Sequence, residues 1–182
     1  MRPGQPVIYT VAVASGQGHE TAFPQILADM LGIAPERITA KGGHAGSQIL
    51  QGAGAFGSRS IMSLGSATRA AGRKMLETAS RLAADALGVA PEAVSYDGGL
   101  FTSTCTNRAL GLDELARAQP GALDTLVELP APRAFPSGAH VAEVEIDPET
   151  GTCALLRYVS VDDCGTVVNR TLVEGQMIGG LV

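Results

Sequence analysis

The chain has 182 residues, 45% of them hydrophobic and 17% charged, which predicts a packed core of one domain or two small lobes and excludes a disordered chain. Its formal charge of −5, with no Lys/Arg stripe, excludes a nucleic-acid partner, and no apolar run reaches the ~20 residues of a membrane helix. The 23 glycines beside only 4% aromatics and no Trp point to a backbone that turns tightly or comes close to something.

Val7 to Val13 is β-branched and apolar and reads as a strand. Ser15-Gly16-Gln17-Gly18 turns into a helix over 21–31, with Thr21 as N-cap and Pro24 tolerated in the first turn. Phe23, Ile26, Leu27, Met30 and Leu31 form its buried stripe, and Gly32 ends it. Leu31-Gly32-Ile33-Ala34-Pro35-Glu36-Arg37-Ile38 is echoed by Leu87-Gly88-Val89-Ala90-Pro91-Glu92-Ala93-Val94. Each copy reads as helix end, glycine stop, proline turn and strand start.

Between the copies lie a glycine-rich loop, 42–57, and one long helix over 60–87, ~40 Å at ~1.5 Å per residue. Ile61, Leu64, Thr68, Ala71, Met75, Ala79, Leu82 and Ala86 set its period, and its alanines predict close packing on both sides. The stretch 96–136 is expected to be irregular apart from a short helix over 112–118. His140, Ala142, Val144 and Ile146 alternate with Val141, Glu143, Glu145 and Asp147, the pattern of a half-buried strand. Asp147-Pro148-Glu149-Thr150-Gly151 turns into a partner strand, and a helix begins after Asn169 and runs to Val182. Three segments result: 1–95, 96–136 and 137–182. A first strand without an earlier partner and a last helix without a stop predict an incomplete piece, or one chain of a split protein.

Several residues could carry chemistry. Gln17 is presented between two glycines at a helix N-terminus, either as a ligand-facing amide or as part of a plain turn. His19-Glu20 is no zinc motif, because HExxH needs His where Phe23 stands. His19, His44 and His140 read as ordinary histidines. Cys105, Cys153 and Cys164 form no CxxC and read as reduced thiols of a cytoplasmic protein. Gly52 to Gly57 matches GxGxxG, but no strand leads into it and the acidic residue at the right distance, Glu77, falls inside the long helix. The same stretch also suits an anion site: Gly57-Ser58-Arg59-Ser60 brings hydroxyls, free N–H groups and a guanidinium to the positive end of a helix. Alternatively, Ser58 or Ser60 merely caps that helix. Asp162 and Asp163 are adjacent on a strand and so point to opposite faces.

Taken in order and spacing, Gly16-Gln17-Gly18-His19-Glu20, Gly54-Ala55-Phe56-Gly57-Ser58-Arg59-Ser60, the hairpin 138–151 and Val161-Asp162-Asp163-Cys164-Gly165 with Val173-Glu174-Gly175-Gln176 resemble one family. It is the molybdopterin-binding large subunit of the xanthine dehydrogenase/aldehyde oxidase/carbon monoxide dehydrogenase group. The resemblance implies an α+β fold, with mixed sheets flanked by helices, and part of a molybdenum-cofactor domain. It implies that Gly16, Gln17 and Gly18 approach the pterin. Ala55, Phe56, Gly57, Ser58, Arg59 and Ser60 would wrap the pterin and phosphate end, and Gln176 would approach the metal-proximal part. The cofactor would carry Mo, in the cytosine dinucleotide form.

Such proteins hydroxylate an aldehyde or N-heterocycle with oxygen from water, using a glutamate base downstream of this segment, so no catalytic residue and no protein ligand to a metal is assigned here. The implied partners are the rest of the molybdenum subunit, iron–sulfur ([2Fe-2S]) and FAD subunits and a small-molecule substrate. Two departures weaken the match: Gly43-His44-Ala45-Gly46-Ser47 replaces a Gly-Asp-Thr-Asp-like run, and Ala55 replaces a Thr. Two other functions compete with this one. One is a non-catalytic remnant or structural partner chain; the other is an unrelated phosphate- or nucleotide-binding module built on 52–60.

Overall fold

The computed structural model describes residues 5–43, 52, 54–130 and 135–181. The fold is α+β, as expected, and the described residues form three small sheets.

The first unit is a parallel strand pair joined by a helix. Strand β1, Val7–Thr10, pairs in parallel with β2, Thr39–Gly42, and helix α1, His19–Leu31, connects them. Strand β1 therefore has a partner, and it stops three residues before the expected end. Thr10 Oγ1 donates to the Ala12 carbonyl at 3.0 Å, which bends the chain away from the sheet. The bent segment crosses over β2 so closely that a Cβ at Gly42 would lie 2.3 Å from the Ala12 oxygen.

Helix α1 starts two residues before the expected cap. Gly18, left-handed at φ 73°, is the N-cap, and its carbonyl accepts from the amides of Thr21 and Ala22. Thr21 is thus inside the helix. Phe23, Leu27 and Leu31 are buried along the expected stripe, joined by Ala22 and Ala28.

The two echoed octets fold alike. Gly32 (φ 60°) and Gly88 (φ 71°) both end a helix in the left-handed region. Pro35 and Pro91 each open a single 3₁₀ turn, followed by extended Ile38 and Val94. One sequence signal thus makes the same passage twice, into β2 and into β3, Val94–Asp97.

The long helix is divided. Ser60–Gly65 is a π-helical turn, and α2 proper is Ser66–Leu87. Only one face of α2 packs: Thr68, Gly72, Ala79, Ala83 and Leu87 are buried, whereas Arg69, Arg73, Glu77, Arg81 and Ala86 are exposed. A Cβ at Gly72 would lie 2.8 Å from Leu27 Cδ1, so this glycine sets how closely α1 and α2 approach.

The stretch from Tyr96, expected to be irregular, contains order of its own. Strands β3, β4 (Leu100–Ser103) and β5 (Ala109–Gly111) form an antiparallel sheet, and α3, Leu112–Ala118, follows directly. Phe101, Leu112 and Leu115 join Phe23, Leu31, Ala79 and Ala83 in one buried cluster. Tyr96 packs against Phe101 with the rings tilted by 45° and their centroids 4.7 Å apart, and its hydroxyl donates to the Leu31 carbonyl at 2.8 Å. An Arg37–Asp113 ion pair ties the first 3₁₀ turn to α3.

The last segment is a ribbon and a helix. Strands β6, Ser137–Ile146, and β7, Cys153–Asp163, pair antiparallel, with a bulge after Glu143. The half-buried pattern expected of β6 is not found: every β6 residue is exposed, with Val141 at 65% and Ile146 at 62%. Alternation sorts side chains onto two faces but does not itself supply a cover for either. Helix α4, Arg170–Gly179, ends there instead of running to Val182. Gly175 and Gly179 have no described atom within 4 Å of a would-be Cβ.

Candidate cofactor site

Three segments distant in sequence converge on one open cleft of ≈ 240 Å³. Its lining is Ser15 and Gln17 from the turn before α1, Ala55, Phe56, Ser58 and Ser60 from the loop entering the π-turn, and Gln176 from α4.

Local geometry explains why Gln17 faces it. Gly16 at φ 96° and Gly18 at φ 73° bracket Gln17 in backbone that L side chains rarely adopt. The Gln17 Oε1 accepts from the Ser15 amide and, at 3.2 Å, from the Ser15 hydroxyl. Its oxygen is therefore used within the turn, which leaves the Nε2 hydrogens for a ligand. Ser15 was not singled out by the sequence; its place just before the glycine turn was the available signal.

The opposite wall carries the strain. Gly57 (φ 63°) and Ser58 (φ 54°) are both left-handed, and Ser58 is the only non-glycine residue of that kind among the described residues. Neither Ser58 nor Ser60 caps the helix that follows, since no side-chain cap bond is made there. Both hydroxyls line the cleft instead. Arg59 differs from expectation: its guanidinium lies 4.9 Å from the Phe56 ring centroid, outside the lining residues. Phe56 is an exposed wall with the cation stacked on it.

The third wall depends on how α4 is seated. The Asn169 Oδ1 caps α4 by accepting from Leu172 N at 3.0 Å, and Asn169 Nδ2 donates to Gln25 Oε1 of α1 at 2.9 Å. Leu172 lies over Gly18, where a Cβ would be 2.5 Å from Leu172 Cδ2.

Below the Gln17 turn, His19 is buried and stacks on Phe23 at 4.8 Å. Burial holds its imidazole below the usual value of 6.5, although the nearby Glu20 carboxylate pulls the other way. Both its ring nitrogens, and Ser63 Oγ in the π-turn, are buried without a hydrogen-bond partner among the described residues.

The other candidates lie elsewhere. His140 bridges the ribbon, with Nδ1 2.9 Å from Tyr158 Oη and Nε2 3.1 Å from Asp162 Oδ1. Asp163 instead accepts from Gly165 N at 2.8 Å, so the two adjacent carboxylates do serve different neighbours. Cys105, Cys153 and Cys164 are free and exposed. Gly54 to Gly57 form an irregular loop, and Glu77 lies within α2 and not at the end of a strand, as a dinucleotide site would need. His44, Ala45, Gly46 and Ser47, one departure from the family pattern, lie outside the described residues.

The donor set suits a large, polar, phosphate-bearing heterocycle. It offers two amides and three hydroxyls, with an apolar flank from Ala55 and Phe56 and no carboxylate to repel an anion. Among the described residues no group of three His, Cys, Asp or Glu could hold a metal ion. Among the described residues no helix is long and apolar enough to cross a membrane.

Comparison with known proteins shows the family of the chain. The molybdopterin cofactor-binding domain family matches residues 2–182, and the chain belongs to it. The 6-hydroxypseudooxynicotine dehydrogenase complex subunit gamma of Paenarthrobacter nicotinovorans is 32% identical over 100% of this chain and 24% of its own length. The carbon monoxide dehydrogenase large chain of Afipia carboxidovorans is 34% identical over 92% of this chain and 22% of its own. Among solved structures, a Cu,Mo-CO dehydrogenase in the carbon monoxide reduced state superposes with a TM-score of 0.75 at 33% identity, over 93% of this chain and 22% of that one. Quinoline 2-oxidoreductase from Pseudomonas putida 86 gives 0.73 at 30% identity, over 94% and 24%. The chain therefore spans about a quarter of the length of the relatives it matches.

Proposed function

We propose that the cleft seats the pterin and phosphate end of a molybdopterin cofactor, and that the chain is one part of a molybdenum hydroxylase large subunit. The observation that carries this is the meeting of Gln17, the 55–60 loop and Gln176 around one cleft. Gln17 Nε2 donates to the pterin edge, and Gly16 and Gly18 let that edge come close. The hydroxyls of Ser58 and Ser60, at the entrance of the π-turn, bind phosphate oxygens. Gly57 allows the turn there, while Phe56 and Ala55 exclude water from the ring face. Arg59, held on Phe56, adds positive charge at the rim without entering. Gln176 hydrogen bonds the metal-proximal side. We extend this to the cytosine dinucleotide form, whose second phosphate would continue along the 55–60 loop.

When bound, the cofactor supplies the redox centre at which a substrate carbon receives oxygen from water. No side chain of this segment is assigned as acid, base or nucleophile. The base, the aldehyde or N-heterocycle pocket and the contacts to iron–sulfur and FAD partners belong, in this reading, to other segments or subunits. The three free thiols suit a reducing, cytoplasmic setting.

The test is the molybdenum-to-protein ratio of the chain purified from a cofactor-producing host with its co-purifying partners. Gln17→Ala combined with Arg59→Ala should lower the ratio about tenfold, as expected for losing a cofactor hydrogen bond and a nearby positive charge. An unchanged ratio in the double variant sinks the site assignment.

A further inference from the structure

The N-cap of α4 and two residues within it lie towards one side: Asn169, Leu172 and Gln176 follow the i, i+3, i+7 spacing of a helical stripe. Each meets the first unit of the chain. Asn169 Nδ2 donates to Gln25 Oε1 at 2.9 Å, Leu172 covers Gly18, and Gln176 shares the cleft with Gln17. Along α4 the facing residues fall from 25 to 18 to 17, so the two segments run in opposite senses. Helix α4 has no buried residue, so no hydrophobic core fixes its position.

We propose that Asn169 is the positioning residue of the cleft: one side chain both caps α4 and ties it to Gln25, and this sets where Gln176 stands. The proposal rests on the cofactor-seat reading above. From Asn169 to Gln176 the helix advances ~10 Å, so freedom at the cap becomes displacement at the cleft wall. The two roles use different atoms. Oδ1 accepts from Leu172 N and Nδ2 donates to Gln25, so substitutions can separate them.

The experiment uses the chain purified with its partners from a cofactor-producing host. Two quantities are read: amide exchange at Leu172 to Gln176, and pterin released per chain, measured by fluorescence. Asn169→Ser keeps a good cap but is too short to reach Gln25. Asn169→Asp keeps the cap and can accept from a turned Gln25 amide. Gln25→Ala removes the tie and leaves the cap. Asn169→Ser and Gln25→Ala should each speed exchange about two- to tenfold, the effect of one net hydrogen bond, and lower pterin content by a similar factor. Their combination should be no worse than either alone, and Asn169→Asp should retain both readouts.

Unchanged pterin content in Asn169→Ser and Gln25→Ala, beside a loss in Gln17→Ala, overturns the positioning role and leaves the cleft reading standing. Equal losses in Asn169→Asp and Asn169→Ser overturn it too, since the tie would then not be the cause. Unchanged content in Gln17→Ala identifies failure of the cleft reading itself, which takes the proposal with it.

Discussion

Gly18→Ala is the substitution whose cost can be worked out in parts. Gly18 sits at φ 73°, where an L residue loses roughly 1–2 kcal/mol relative to a right-handed conformation. The new Cβ would also lie 2.5 Å from Leu172 Cδ2 and 2.7 Å from Cδ1, too close to remain. Both atoms end a flexible side chain, so Leu172 leaves its seat and the backbone of α1 stays. Losing that half-buried contact costs about 1 kcal/mol, a fraction of a full Leu→Ala truncation. The single variant should therefore lose about 2–3 kcal/mol. Leu172→Ala alone should lose about 1 kcal/mol, since the same contact disappears without the backbone strain. In the double variant the contact is lost only once, so the total falls about 1 kcal/mol short of the sum. Urea denaturation followed by far-UV circular dichroism measures all three. Strict additivity would refute the claim that Leu172 seats on Gly18. A Gly18→Ala cost below about 0.5 kcal/mol would refute the left-handed cap.

Two further outcomes are expected. His19 is neutral when folded at a pH where the unfolded chain already takes a proton, so stability should fall as pH drops below about 6.5, by no more than ~1.4 kcal/mol per unit. His19→Leu should flatten the slope between pH 6.5 and 5, and an identical slope in the variant would assign the effect to other groups. Gly72→Ala and Gly175→Ala are the same change with opposite expected signs. At Gly72 the Cβ meets Leu27 Cδ1 at 2.8 Å, and overpacking of about 1–3 kcal/mol outweighs the helical gain. At Gly175 nothing lies within 4 Å, and the cofactor-free chain should gain up to ~1 kcal/mol. Thermal melts of the two variants moving in the same direction would contradict this contrast.

Signals held within one turn of chain were legible in the sequence. The paired Gly–Pro octets, the stripe of α1, the hairpin turn at Asp147 to Gly151 and the start of α4 after Asn169 all follow from local propensities. Gln17, Ser58 and Ser60, which line the candidate cleft, could be picked out too, because a glycine turn and a hydroxyl-rich loop carry their own chemistry. Features that depend on distant neighbours were not. Strands β4 and β5 are four and three residues long, too short for a visible period, and exist because Phe101 has a core to enter and Leu110 packs against it. Arg59 could not be read as stacked on Phe56, since both the ring and the anion site attract a cation. The Asn169–Gln25 bond joins residues 144 positions apart. The ribbon β6–β7 shows the limit most plainly: its alternation sorted side chains onto two faces but did not indicate what lies against either.

The π-turn at Ser60–Gly65 has a consequence for how this sequence can vary. Successive helical residues are rotated by about 100°. A turn that accommodates an additional residue lets the loop before it and the helix after it keep separate angular settings. With the turn in place, Ser58 and Ser60 face the cleft while Gly72 still presents no Cβ to Leu27. Removing one residue between 60 and 65 would rotate one setting against the other, bringing Arg73 towards α1 or carrying the hydroxyls off the cleft. Single-residue insertions and deletions in this stretch are therefore not interchangeable with those in a surface loop: the turn acts as a phase coupler between the candidate site and the core.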